Sequence, residues 1–185
     1  MNILVACSAQ EVAKEYTLAA KETAELLARR GHVLLWGGSN VGTMKEIADS
    51  ARNAGGKLIG ITNEYFKKVA RADVDELVVT VDLAERKKVM FARSDALIAL
   101  PGGIGTLDEA FEALALQRLG LYGKPITFLN TNGFYEGLRT QFQRMEQDGF
   151  LHRVSDGLVE GQIAYFAETP ERAVDYVEKT VRVGA

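Results

Sequence analysis

The stretch ALIALPGGIGTLDEAFEALALQRLG, residues 96–120, decides the fold. Its first five residues, Ala96–Leu100, form an unbroken apolar run of the length and character of a strand buried on both faces. Pro101, Gly102, Gly103 and Gly105 then break any regular pattern. From Leu107 to Leu119 apolar residues return at helical spacing, and Gly120 supplies the stop. A strand, a glycine loop and a helix in that order make one unit of a parallel α/β architecture.

The same unit recurs on either side. Apolar runs at Ile3–Cys7, Val33–Trp36, Leu58–Ile61, Leu77–Val81 and Ile126–Leu129, with a weaker one at Ile163–Phe166, read as further strands. Between the first two, Val12, Tyr16, Ala19, Thr23 and Leu26 line one helix face, and Gly31 ends that helix after Arg29–Arg30. Met44, Ile47, Ala48 and Ala51 mark a second helix, stopped by Gly55–Gly56. Phe134–Met145 reads as another, and Thr169–Pro170 opens the last as cap and first helical residue. The chain is predicted to be one domain over residues 1–185, doubly wound, with a mainly parallel sheet of about six or seven strands and helices on both faces. Such sheets bind ligands beyond the carboxyl ends of their strands, where strand order reverses.

Bulk properties narrow the function. A net charge of −3 over 185 residues gives no basic footprint for a nucleic acid, although one phosphate needs only a local site. Cys7 is the only cysteine, so an intrachain disulfide is excluded, and its setting in an apolar run reads as a buried strand residue. With no signal-peptide pattern and no apolar run of about 18 residues, neither export nor membrane insertion is expected, and the cytoplasm is the expected location.

Two strand ends carry glycine clusters. Gly37, Gly38, Ser39 and Gly42 lie between the strand ending at Trp36 and a helix expected near Thr43. Gly102, Gly103, Ile104, Gly105 and Thr106 lie between Leu100 and the helix expected at Leu107. Glycine lets the backbone approach a ligand closely, and the first N–H groups of the next helix then face it with the positive end of the dipole behind them. A phosphate is the ligand this arrangement suits, and tight corners are the plain alternative. Neither loop is G-x-x-x-x-G-K-[ST]. The first turn, Ser8–Ala9–Gln10, is not G-x-G-x-x-G, so P-loop and ordinary dinucleotide chemistry are disfavoured.

Thr106 and Glu109 also fit a T-x-x-E capping box. Alternatively, a first-turn carboxylate held ionised by the dipole and lying beside a phosphate ester suits glycosidic cleavage. Asp108 is a second carboxylate there, read as solvated or bound to a ligand hydroxyl. The run Glu85–Arg86–Lys87–Lys88 follows the strand Leu77–Val81 and so starts at the same sheet edge. Arg86 and Lys87 are the two basic residues chosen to face the site, where a guanidinium can grip phosphate or pair with Glu109.

The residues Glu85–Arg86–Lys87, Met90, Ser94–Asp95–Ala96 and Pro101–Gly102–Gly103–Ile104–Gly105–Thr106, ending in Asp108–Glu109, resemble the signature of the LOG ("Lonely Guy") proteins. Members are cytokinin riboside 5′-monophosphate phosphoribohydrolases, many of them labelled lysine decarboxylase. The resemblance implies a Rossmann-like fold, a homodimer with sites near the interface, and hydrolysis of a nucleoside monophosphate to free base and ribose 5-phosphate, with no metal or organic cofactor. It carries over Arg86 and Glu109 as catalytic, and Lys87 and the Pro101–Thr106 loop as nucleotide-binding. Gly37, Gly38, Gly42 and Met44 extend it upstream. Departures fall at Cys7–Ser8–Ala9–Gln10, where Ser8 is the polar contact, at Ser39, which replaces a glycine, and at Asn63–Asp75, which should lie near the base.

Decarboxylase chemistry lacks a lysine singled out with a partner for a pyridinium nitrogen. The competing reading is a nucleotide or molybdenum-cofactor carrier without hydrolase activity, which needs the glycine loop but has less need of Arg86 opposite Glu109. His32 and His152 have no neighbour indicating a triad or a metal. Trp36 reads as core, and Tyr122 or Phe91 is a candidate base contact.

Overall fold

A computed structural model describes residues 1–151 and 164–184. Among these residues seven strands, β1 (Asn2–Ala6), β2 (Val33–Trp36), β3 (Lys57–Asn63), β4 (Glu76–Thr80), β5 (Ala96–Ala99), β6 (Ile126–Leu129) and β7 (Tyr165–Ala167), form one sheet. Its order is β4-β3-β2-β1-β5-β6-β7, and every pairing is parallel. The chain starts in the middle, winds out to β4, then crosses back to β5 and winds out the other way. The strand order therefore reverses between β1 and β5, and the loops after these two strands open on the same edge.

Among the described residues the α-helices are α1 (Lys14–Arg29), α2 (Gly42–Asn53), α3 (Leu83–Arg93), α4 (Ile104–Arg118), α5 (Glu136–Gln147) and α6 (Pro170–Gly184). Strand periodicity explains the two layers: Ile3 and Val5 point to one face of β1, and Leu4 to the other. On the first face they pack with Ala20, Leu27, Ile47 and Val174 from α1, α2 and α6. On the second, Leu4 and Leu97 pack with Met90, Ala113 and Phe142 from α3, α4 and α5. Trp36 is fully buried in the first layer, as its sequence setting predicts.

Several boundaries and roles differ from expectation. Helix α4 begins at Ile104, three residues before Leu107, because Gly103 in extended backbone acts as its N-cap. Thr106 is thus inside the first turn, and the expected capping box with Glu109 does not exist. Phe91 and Tyr122 are buried against each other with ring centroids 5.5 Å apart, and the Tyr122 hydroxyl lies 3.3 Å from that of Ser94, so neither is placed to meet a base. His32 does have a charged neighbour: its Nε2 lies 2.6 Å from Glu178 of α6, beside Arg30, which bridges Asp175 and Glu178. His152 and Ile163 lie outside the described residues. No helix among the described residues is long and apolar enough to cross a membrane.

Candidate active site

The Glu85–Arg86–Lys87 run is phased by its own helix cap. Asp82 accepts the Glu85 N–H at 2.7 Å, and the Glu85 carboxylate accepts the Val81 N–H at 2.8 Å, so Glu85 is consumed in starting α3. The next residue then turns inward. Arg86 is 8% exposed, and its Nε donates to the Ile61 carbonyl of β3 at 2.9 Å. Its Nη1 reaches Glu109 Oε1 of α4 at 3.3 Å. The other guanidinium nitrogen occupies the place where a Cβ on residue 37 would stand, with the Met44 side chain beside it. Gly37 is therefore a slot for Arg86, a role the sequence pattern does not announce.

The rest of this loop is internally bonded. Gly42, at φ +53°, lies against the carbonyls of Ala9 and Gln10, an approach no side chain at that position would permit. The Thr43 and Met44 N–H groups donate to Gln10 and Ser8 carbonyls at 3.2 and 3.1 Å. The Ser8 hydroxyl accepts the Gln10 N–H at 3.0 Å. On the other flank, Asn40 N donates to Val69 O and Arg71 N to Gly38 O, so the Asn63–Asp75 segment does border this loop. The expectation that both glycine loops offer free helix N–H groups is thus corrected: those of Thr43 and Met44 are already taken. The Ser39 hydroxyl is buried and without a partner among the described residues.

The second loop is different. None of the N–H groups of Ile104, Gly105 and Thr106 has an acceptor among the described residues. Gly103, Ile104 and Gly105 are exposed, while the Thr106 hydroxyl is buried and unpaired against Gly102, where any Cβ would collide with it. An unpaired buried hydroxyl is costly, and one beside three N–H groups without acceptors at a helix N-terminus is an arrangement suited to an anion. A feature missed from the sequence supports the loop from below. Tyr135, buried between β6 and α5, donates its hydroxyl to the Leu100 carbonyl at 2.6 Å, just where the loop leaves β5. Tyrosine there carries no local motif, so only the fold reveals it.

Glu109 lies three residues beyond Thr106, on the same face of α4. It is 6% exposed, and burial pushes its carboxyl up to about 7. Arg86 opposes that rise, Asp108 adds to it, and Lys87 opposes it more weakly. The expectation of a first-turn carboxylate held ionised is therefore corrected: Glu109 sits one turn deeper, where desolvation outweighs its partner. Cys7, at the end of β1 beneath the pair, is buried, and its thiol is raised far above the ordinary range by burial first and by Glu109 second. Such a thiol stays protonated. Lys87 does not stand free: its ammonium lies 2.9 Å from both Asp108 oxygens and 2.5 Å from Glu112. Among the described residues no group of three or more His, Cys, Asp or Glu is arranged to hold a metal.

Fold and site together define a doubly wound, Rossmann-like protein with an anion-ready helix N-terminus and a buried Arg–Glu pair at its strand-order reversal. A family model described as "Possible lysine decarboxylase" matches residues 44–177. The chain is 38% identical over 152 residues to the cytokinin riboside 5′-monophosphate phosphoribohydrolase of Mycobacterium tuberculosis, covering 81% of each chain. Over 153 residues it is 35% identical to the Arabidopsis thaliana phosphoribohydrolase LOG5, covering 81% of this chain and 67% of that one. Among solved structures, the molybdenum cofactor binding protein of Rippkaea orientalis superposes with a TM-score of 0.71 at 25% identity, covering 97% of this chain and 95% of that one. The chain belongs to the LOG family of phosphoribohydrolases.

Proposed function

We propose that the chain is a nucleoside 5′-monophosphate phosphoribohydrolase acting on AMP or a cytokinin-type nucleotide. The observation that carries this is the buried Arg86–Glu109 contact at 3.3 Å on the helix whose first turn is open. In this reading the 5′-phosphate rests on the N–H groups of Ile104, Gly105 and Thr106 and takes the Thr106 hydroxyl as a donor. That anchorage brings the ribose over Glu109. As the C1′–N bond lengthens, the ionised carboxylate stabilises positive charge on the sugar and takes a proton from the incoming water. Hydroxide oxygen bonds to C1′, the base nitrogen leaves with the bonding pair and is protonated, and ribose 5-phosphate remains. A carboxyl titrating near neutrality suits both the accepting and the returning step. Arg86 holds the carboxylate in place and limits its rise.

The decarboxylase label finds no support in the site, since the basic residue next to Arg86 is engaged by two carboxylates. The test is base release from a panel of nucleoside monophosphates, followed by chromatography. Glu109→Ala and Arg86→Ala should each lower it by roughly a hundredfold or more with the fold retained. Nucleotide binding without release from any member of the panel would sink the hydrolase and leave a carrier.

The proposal extends to a cytoplasmic homodimer, with residues 1–185 acting as one nucleotide-binding unit. Ile104 is 83% exposed and Leu119 is 72% exposed, and with Phe111 they give α4 an outward apolar stripe as well as its buried face. Sedimentation of the wild type against Leu119→Asp would read this: a wild-type monomer at micromolar concentration contradicts it.

A further inference from the structure

Lys87 is the residue whose surroundings fit the nucleotide-binding expectation least. An ammonium has three donors, and the three oxygens Asp108 Oδ1, Asp108 Oδ2 and Glu112 Oε2 meet them at 2.9, 2.9 and 2.5 Å. The side chain is 14% exposed, against 55% for Asp108 and 34% for Glu112. A phosphate would have to displace two carboxylates from it, and the resulting cluster of one cation and two anions would repel the incoming dianion. We infer that Lys87 is a positioning residue, a strut joining α3 to α4 that fixes Arg86 against Glu109, and not a ligand of the substrate phosphate.

The geometry gives the strut its leverage. Residues 108 and 112 are one turn apart on α4, so Lys87 grips two successive turns of that helix. Its neighbour on α3, Arg86, grips Glu109 between them. Two adjacent residues of one helix thereby set the height and rotation of the other. Burial works against the Lys87 charge, but Asp108 and Glu112 outweigh it and raise its pKa. The groups around Glu109 are Arg86 and Lys87 from α3, Asp108 on α4 itself and Cys7 just after β1. Loss of Lys87 would leave Asp108 unbalanced next to Glu109 and loosen the helix pair at once.

The inference rests on the phosphoribohydrolase reading for its kinetic readout, so it is tested with two measurements. The first is base release from AMP by wild type, Lys87→Met and Lys87→Arg. The second is calorimetric binding of ribose 5-phosphate, which needs no turnover. Lys87→Met should lose roughly tenfold or more in kcat, with KM and ribose 5-phosphate affinity within about twofold of wild type. The acid limb of its rate profile should move to higher pH. Lys87→Arg, which can still bridge both carboxylates, should recover most of the rate. A tenfold or greater loss of ribose 5-phosphate affinity in Lys87→Met, with kcat preserved, would overturn the strut and make Lys87 a phosphate ligand. If Lys87→Met does not fold, Lys87→Arg against Glu112→Gln carries the comparison: both should lower kcat and spare affinity, the arginine variant less. Absence of turnover in the wild type would be a failure of the phosphoribohydrolase reading alone, because unchanged or lost ribose 5-phosphate binding in Lys87→Met still decides the role of the lysine.

Discussion

The two glycine loops are near-copies in sequence and opposites in use. Each follows a buried strand and opens a helix, and each has glycines that no other residue can replace without collision. After β2, that closeness is spent on the protein itself. The Gln10 and Ser8 carbonyls after β1 accept the N–H groups of Thr43 and Met44, segment 69–71 takes the other flank, and Gly37 receives the guanidinium of Arg86. After β5, the first turn of α4 has N–H groups with no acceptor among the described residues, and a buried hydroxyl beside them is likewise unpaired there. A glycine cluster therefore specifies that something approaches the backbone, and only the fold decides whether that is a side chain or a ligand. In the proposed hydrolase the closed loop aims Arg86 and the open loop receives the phosphate.

Paired alanine substitutions separate the two loops most directly and should cost the most activity. In Gly37→Ala the new Cβ takes the place of flexible side-chain ends, those of Arg86 and Met44, so the fold survives while the guanidinium moves. Base release should fall by roughly a hundredfold, with ribose 5-phosphate binding unchanged. In Gly103→Ala the Cβ meets no protein atom within 4 Å, so melting temperature should not change. Its loss should appear in ribose 5-phosphate affinity, by about tenfold, because a methyl group would intrude where the proposal seats the phosphate. Calorimetry and initial rates on both variants read the difference. If both substitutions act on the same parameter, the division of labour between the loops is wrong.

Much of this arrangement is legible from residues 96–120 and their counterparts. Apolar runs of strand length placed the seven strands of the described residues within about two residues, most closely at β2, β5 and β6, where burial on both faces leaves little else for such a run to be. The proximity of Arg86 and Glu109 also follows, because strands β4 and β5 deliver both residues to the carboxyl edge. What escaped the sequence is what depends on burial and on distant contacts. The T-x-x-E pattern imitates a cap, yet Gly103 holds that position and Glu109 lies a turn deeper. The fit of Arg86 to Gly37, the bond from Tyr135 to Leu100 and the capture of Lys87 join residues far apart in the chain, and no local periodicity encodes them. The aromatic residues offered as base contacts were core for the same reason: helix α3 and the loop before β6 face each other across the second layer.

Glu109 joins the two loops, because it sits on the helix of the open loop and faces the arginine aimed by the closed one. Its folded pKa, about 7, lies above the ordinary carboxylate value of 4.5. Below about pH 4.5 the carboxyl is protonated in both folded and unfolded chains, and burial carries no penalty. Between 4.5 and 7 the unfolded chain ionises first, so native stability falls as pH rises, and above 7 the loss is complete. The full difference is on the order of 3 kcal/mol. Glu109→Gln cannot ionise, so its stability relative to wild type should rise by about that amount between pH 4.5 and pH 8, as read by chemical unfolding at a series of pH values. The same carboxyl should set the acid limb of kcat/KM near neutrality. A stability gap that stays flat with pH would mean Glu109 is solvated and ionised throughout. Burial beneath the open turn would then not be what tunes it, and the cradle and the Arg–Glu pair would lose their physical link.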